Sequence, residues 1–501
     1  MATPQEPELQ PAAVVLQKNF VPIALNERIG AMDILRGLAL VGILLMNIEW
    51  FNRAISGLGS QDTSLTGLDH AVGWLIRCFV EGKFYTLFSL LFGMGFAVML
   101  VRAKAAERPF SAWFFRRMLI LIAFGVLHMI FLWGGDILHS YGFAGLLLLA
   151  WLTLVKKSSF THYDNPKSMF KLAMVWLLIP VFISIVSGVS FGISHDTSEL
   201  TTTWYEEIKV AERVKAINSA SDTPSQQAMD ALLTNDTKLP ISKVRSDNDD
   251  ATDEPFSLLE ENVIEQLAEE IVNQQQVIKS DELEEISALS QASYWQATEF
   301  RIDFAWYMLM LAAPFAFFML MPLFLLGYWL VSSGIMKNYR QYRNVFKLLA
   351  CFGIGLGVVL ETGGLLVVQH PVANQVMLLQ AVGEGLFYIG QLVMSAGYFG
   401  LAMYLLADEK WHRRLSVFAP MGRMALTNYI MQSVILSSIF YGYAGGYYGE
   451  IARAPQMLIV LVIVIAQLLL SRWWLKSYAF GPLEWLWRCL SYKKLQTMRI
   501  Q

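Results

Sequence analysis

The sequence predicts an all-α polytopic membrane protein with about ten transmembrane helices and an external helical insert. Three observations carry that prediction. Hydrophobic residues make up 55% of the chain and only 16% are charged, too apolar a balance for an ordinary soluble enzyme. The apolar residues fall into runs long enough to cross a bilayer, which takes about 20 residues per helix. Basic residues collect in every second loop between those runs.

The runs lie at 34–52, 84–103, 117–134, 137–155 and 170–193, then at 305–333, 345–367, 376–406, 415–441 and 455–475. Lys and Arg gather at 102–117, 156–171, 337–347 and 410–414 and in the C-terminal tail, whereas GGD at 134–136 and VQHPVANQ at 368–375 carry none. By the positive-inside rule both termini are expected in the cytoplasm. The expected organisation is a cytoplasmic tail (1–30), a first membrane half (31–194), an acidic extracytoplasmic insert (195–302), a second membrane half (303–480) and an interfacial helix with a tail (481–501). The first 30 residues show no basic-then-apolar cleavable pattern, so the first span reads as an uncleaved anchor.

Charge is divided unevenly. Residues 195–300 hold 23 acidic and 7 basic side chains, against 18 acidic and 31 basic elsewhere. The insert reads as short amphipathic helices joined by the polar stretch SDNDDATDE, and its acidity argues against nucleic acid as a partner. Two further segments are amphipathic: LDHAVGWLIRCFVEG (68–82), expected along the outer interface, and GPLEWLWRCL (481–490), along the inner one. The lipid bilayer is the first expected partner, and a second copy of the chain is a candidate one.

Several motifs exclude chemistry. Cys78, Cys351 and Cys489 are scattered without ligand spacing, so no disulfide framework, metal site or prosthetic group is implied. FGIGLG (352–357) sits inside an apolar run, where Gly353 and Gly357 read as a close-packing face rather than a dinucleotide loop. The sequon at Asn235 has meaning only in a eukaryotic secretory host. YGYAGGYYGE (441–450) reads as an outer loop, a lid or an aromatic belt.

An ionisable group within a span costs about 2.5–3.5 kcal/mol on insertion scales unless it meets a partner or a wet cavity, so the polar residues inside the runs carry the information. Asp33 and Arg36 share a helix face at the start of the first span, either as a structural pair or with Arg36 free to fork onto a phosphate or carboxylate. Asn47 follows toward the far end. His128 lies well inside the third run, and Asp136 follows eight residues later across a Gly-Gly bend, with His139 and Tyr141 beyond. A carboxylate-oriented imidazole is a general base; the competing reading is a structural imidazole bonded to a neighbouring helix. His70 stands beside Asp69 at the outer interface, where solvation alone accounts for it. Lys83 reads as snorkelling to the outer headgroups or as a ligand contact. Arg423 falls about two turns inside the ninth run, with Asn428 or a glutamate as expected partner.

The pieces RIGAMDILRGLALVGILLMNI (28–48), EGKFYTLFSLLFGMG (81–95), FGVLHMIFLWGGDILHSYG (124–142), MGRMALTNYIMQS (421–433) and GPLEWLWR (481–488) resemble, in order, the bacterial YeiB-like membrane proteins, the domain-of-unknown-function family numbered 418. The opening helix is also similar to those of two groups of membrane acyltransferases. In the acyltransferase-3 group it carries an Arg, ten residues and a His; here the same spacing runs from Arg36 to Asn47. In the heparan-alpha-glucosaminide N-acetyltransferase group it has an Asp-x-x-Arg-Gly start and a later Asn, with the base elsewhere. That resemblance implies a membrane acyltransferase of the bacterial inner membrane, drawing on acyl-CoA and serving an acceptor yet to be identified. His128 and Asp136 are then the catalytic pair, Arg36, Lys83 and Arg117 the donor-binding candidates, and Asp33, Asn47, His70, Tyr141, Arg423 and Asn428 further pocket candidates. A transporter or efflux-associated protein and a non-catalytic scaffold with a docking insert remain the alternatives.

Overall fold

The computed structural model describes residues 30–55, 65–105, 107, 110–157, 166–194, 209, 213, 282–370 and 377–500. The tail 1–30 (save Gly30), most of the insert and Asn235 therefore lie outside the described residues. Among those described, no strand forms beyond an isolated bridge between Tyr478 and Arg499. Among the described residues, eight helical segments are long and apolar enough to cross a membrane, and two shorter apolar helices, Leu138–Leu154 and Ala425–Phe440, stand where the fourth and ninth spans are expected. The chain is an all-α, multi-pass membrane protein.

The first half runs α1 (Gly30–Phe51), α2 (Gly67–Phe79), α3 (Lys83–Ala105), α4 (Ser111–Phe131), α5 (Leu138–Lys157), α6 (Pro166–Leu177) and α7 (Ile179–Ser194). α2 is the expected amphipathic segment, with Leu68, Trp74 and Leu75 exposed. The fifth run is not one helix: the chain turns at Leu178, and Pro180 sits in the first turn of α7, where its missing N–H costs nothing.

The second half runs α8 (Tyr294–Phe315), α9 (Met321–Ser332), α10 (Arg343–Gln369), α11 (Met377–Leu406), α12 (Ala425–Phe440), α13 (Arg453–Ser477) and α14 (Pro482–Tyr492). A capping box of Ser293 and Gln296 starts α8. A π-helical stretch, Ala316–Leu320, joins α8 to α9 between Pro314 and Pro322, the kind of disturbance prolines impose on a helical ladder. α10 and α11 form the most extensive helix pair. A side chain at Gly353 would strike Gly397, and one at Gly357 would strike Met394, so the two glycines serve the close packing expected of them.

The ninth run departs most from expectation. It is divided into a 3-10 turn (Ser416–Phe418), a short helix (Ala419–Arg423) and α12, with a break at Met424 (φ −109°, ψ 35°). Hydropathy does not register the break, because both sides are apolar. Two contacts made elsewhere in the chain impose it. Gly422 lies so close to the Asp33 carbonyl of α1 that no side chain fits between them. The Glu484 carboxylate, from α14, accepts the backbone N–H groups of Leu426 (2.6 Å) and Thr427 (3.0 Å) and the Thr427 hydroxyl (2.6 Å), capping α12 at its first turn.

Candidate functional site

Where α4 ends, His128 O accepts the N–H groups of both Leu132 and Trp133, and the chain leaves the helix. Arg301 of α8, itself buried, donates from Nε to the Ile130 carbonyl at 2.9 Å and fixes that end. After the Gly-Gly bend, Asp136 receives the backbone N–H of His139 (3.0 Å) at the start of α5. The carboxylate so placed lies against Gly125, where a Cβ would strike both Asp136 and the His139 backbone. Gly125 and His128 are three apart on α4, so the cleared space sits beside the imidazole.

The geometry at Asp136 is a relay. His128 Nδ1 lies 2.9 Å from Oδ1, and His139 Nδ1 lies 3.0 Å from Oδ2. An ionised carboxylate only accepts, so both imidazoles carry their proton on Nδ1. In the neutral imidazole His128 Nε2 is then a bare acceptor, and at 2.7 Å it meets Ser433 Oγ of α12. His139 Nε2 meets Ser140 Oγ at 3.1 Å. Ser433, His128, Asp136 and His139 are all buried. Among the described residues, no three His, Cys, Asp or Glu side chains are placed to hold a metal ion.

A cavity of about 260 Å³ opens at one end of the bundle and runs inward toward this relay. Its rim carries Asp33, Arg36, Arg117, Arg423, Glu484 and Arg488; its walls are apolar and aromatic, including Leu40, Phe88, Phe92, Leu121, Tyr141 and Tyr429. Asp33 is paired with Arg36 at 2.8 Å, and Glu484 is occupied with α12, which leaves guanidinium in excess. Arg117 stacks at 3.6 Å on Trp487, and Arg423 donates to the Ala479 carbonyl at 3.3 Å. The Nε atoms of Arg117 and Arg423 are buried with no hydrogen-bond partner. Unpaired buried donors in a native fold ask for an explanation, and an anion at the rim supplies one. Burial pushes the Glu484 carboxyl up from its ordinary value and pulls the Arg488 guanidinium down.

The cavity does not include His128. Its inner wall is Tyr429, whose ring lies 5.2 Å from the imidazole ring, and Ile137, the neighbour of Asp136. Tyr141 stacks between Phe88 and Phe92, with its hydroxyl bonded to the Tyr85 carbonyl at 3.3 Å.

The other candidates are dispersed. Asn428 lies behind the cavity, where its amide donates to Met421 O (3.1 Å) and Ser471 Oγ (3.0 Å) and helps join α12 to α13. It does not pair with Arg423, which sits at the break before α12 rather than two turns inside a span. Lys83 neither snorkels nor reaches the cavity. It is fully buried, 2.6 Å from Glu361 of α10, because α10 and α11 close over the start of α3 and bring a carboxylate with them. His70 is exposed on α2, and Asn47 is half-buried outside the cavity lining. Ser433 was not singled out by sequence reasoning. Its only signal was membership of the stretch MGRMALTNYIMQS, for it lies 305 residues from its histidine.

Comparison with known proteins supplies the relationship. Residues 330–494 match the family described as "Protein of unknown function (DUF418)". The chain is 27% identical over 481 residues to "Uncharacterized protein YxaH" of Bacillus subtilis, spanning 95% of this chain and 97% of that one. It is 25% identical over 475 residues to "Uncharacterized protein YeiB" of Escherichia coli, spanning 93% and 97%. Over residues 330–494 the chain thus matches the DUF418 family, and along nearly all of its length it is similar to YxaH and YeiB. The stretch matched to DUF418 supplies Ser433 and the rim residues Arg423, Glu484 and Arg488, whereas Arg36, His128 and Asp136 precede it. No solved structure matches the chain.

Proposed function

We propose that this protein is a membrane-bound acyltransferase, taking an acyl group from an acyl-CoA-type donor and passing it to a glycan, lipid or small-molecule acceptor. The carrying observation is the combination of an arginine-rimmed apolar cavity with a carboxylate-oriented histidine behind its inner wall. Each part suits one portion of a thioester donor. The guanidinium rim suits phosphate groups, which arginine recognises by its planar fork. The apolar shaft suits an acyl chain. At about 260 Å³ the cavity is slightly smaller than a typical drug-sized site, so it would take the acyl and thioester portion and leave the nucleotide at the mouth. His128, held in one tautomer by Asp136, is the base.

The alternation of basic loops supports a bacterial inner-membrane location with both termini, and therefore the cavity mouth, in the cytoplasm. The reading is tested in proteoliposomes supplied with acetyl-CoA or palmitoyl-CoA and lipid or glycan acceptors, by following thiol release and acyl transfer. Transfer by the wild-type protein and its loss in His128→Ala are expected. A His128→Ala protein with full activity would remove the histidine from the mechanism, and flux of an unmodified solute without any covalent product would favour a transporter.

A further inference from the structure

The direction of the His128 proton acceptor goes beyond the proposal above while resting on it. With Nδ1–H committed to Asp136, the nitrogen able to take a proton is Nε2, and Nε2 faces the Ser433 hydroxyl at 2.7 Å. The hydroxyl's other acceptor, the Tyr429 carbonyl, is 3.5 Å away, so the bond to the imidazole is the stronger one. We infer that Ser433 is the nucleophile His128 activates, and that it carries the acyl group as an ester between donor and acceptor.

Two helices lead from the cavity to that pair. On α4, Arg117 and Leu121 line the cavity, and Gly125 and His128 continue the same stripe at helical spacing. On α12, Leu426 and Tyr429 line it, and Ser433 follows one turn on, about 6 Å deeper along the axis. The stripes meet at Ser433 and His128, behind the Tyr429 ring. A thioester arriving from the rim thus meets the Tyr429 ring, and reaches the serine hydroxyl one turn behind it once that ring turns aside.

In the first half-reaction Ser433 Oγ attacks the thioester carbonyl carbon. The Oγ–C bond forms, the C–S bond breaks, and the serine proton passes through His128 Nε2 to the departing sulfur, which leaves as a thiol. In the second, an acceptor hydroxyl or amine gives its proton to Nε2 and attacks the ester carbonyl, and Oγ recovers the proton as its bond to the acyl carbon breaks. Donor and acceptor then never need to occupy the site together, which suits a site approached from opposite sides of a membrane.

The full-length protein in nanodiscs is treated with a fluorophosphonate probe and, separately, with acetyl-CoA or palmitoyl-CoA, then digested and mapped by mass spectrometry. A fluorophosphonate adduct on Ser433, abolished by His128→Asn, is expected. So is an acyl adduct on the same peptide, with a thiol burst approaching about one equivalent per chain. Ser433→Ala should lose adduct and burst and lower transfer about 10³-fold or more. Ser433→Cys, matched to wild type in thermal stability, should move the acyl group to a thioester cleaved by neutral hydroxylamine. Transfer within tenfold of wild type in a folded Ser433→Ala protein, or a Ser433 left unlabelled by every probe, overturns the covalent step. In the first of these cases the acyltransferase reading survives, with His128 acting directly on the acceptor. If neither CoA ester is consumed yet the fluorophosphonate marks Ser433 through His128, the donor assignment falls and the activated serine stands.

Discussion

Two of the buried polar clusters in this bundle differ instructively, and the contrast between them separates structural charge from chemistry. Lys83 and Glu361 form a 2.6 Å pair with both side chains fully enclosed and the lysine also bonded to the Arg77 carbonyl. Phe387 closes over the ammonium, and neither member of the pair lines the arginine-rimmed cavity. The Ser433–His128–Asp136 relay is as deeply buried, yet its bare acceptor points at a hydroxyl one helical turn beyond Tyr429, which lines a cavity rimmed by unpaired guanidinium donors. Both clusters pay the cost of ionisable groups in an apolar medium, so burial alone distinguishes nothing. Proximity to a cavity and a proton with somewhere to go mark out the second.

Substitutions can break or sharpen that contrast. The largest effect is expected from Asp136→Asn, which puts His128 in the wrong tautomer: transfer should fall by about 10³–10⁴-fold with the protein still folded, as when a triad carboxylate is lost. Equal loss of helicity on thermal melting would instead make Asp136 a structural anchor. At the other cluster, Glu361→Ala strands a buried ammonium and should cost about 3–5 kcal/mol, read as poor yield and a lowered melting temperature. The double change Lys83→Met with Glu361→Leu removes both charges and should restore folding together with transfer; activity lost in a well-folded double variant would place this pair in the mechanism. Arg117→Ala or Arg423→Ala should raise the KM for a CoA ester roughly tenfold, the scale of one ionic contact, with kcat nearly unchanged. A fall in kcat alone would move those residues from binding to chemistry. Gly125→Ala, whose Cβ meets the Asp136 carboxylate, should destabilise by about 1–3 kcal/mol. Least of all, Asn47→Ala, on a half-buried residue outside the cavity, should leave transfer within about threefold, a change of under 1 kcal/mol in the barrier.

What could be read from the sequence follows the range of the interaction. The Asp33–Arg36 pair, the Gly353 and Gly357 packing face and the His128–Asp136 contact involve helical spacing, small side chains or a short bend, and each is visible in a window of ten residues or so. The association of Lys83 with Glu361 spans 278 residues, and no local pattern indicates it. Ser433 is harder still, since a serine in an apolar helix usually bonds its own backbone and leaves no charge to explain. The break at Met424 was hidden for a different reason: it depends on Glu484 and Asp33, one after it and one far before it, while the run around it stays apolar enough on average to read as one span.

The contact between Gly422 and the Asp33 carbonyl also imposes an order on biosynthesis. The first helix is made and inserted with Asp33 and Arg36 at its end, but the surface against which it finally rests is about 390 residues away in the chain. At roughly 5–20 residues per second, the ribosome takes about 20–80 seconds to deliver it. Throughout that interval one side of the cavity mouth does not exist, and the charged end of α1 rests against α3. α1 therefore meets α3 early but completes its native contacts only near the end of synthesis, so a chain stalled before Ala419 would hold a membrane-inserted but siteless bundle.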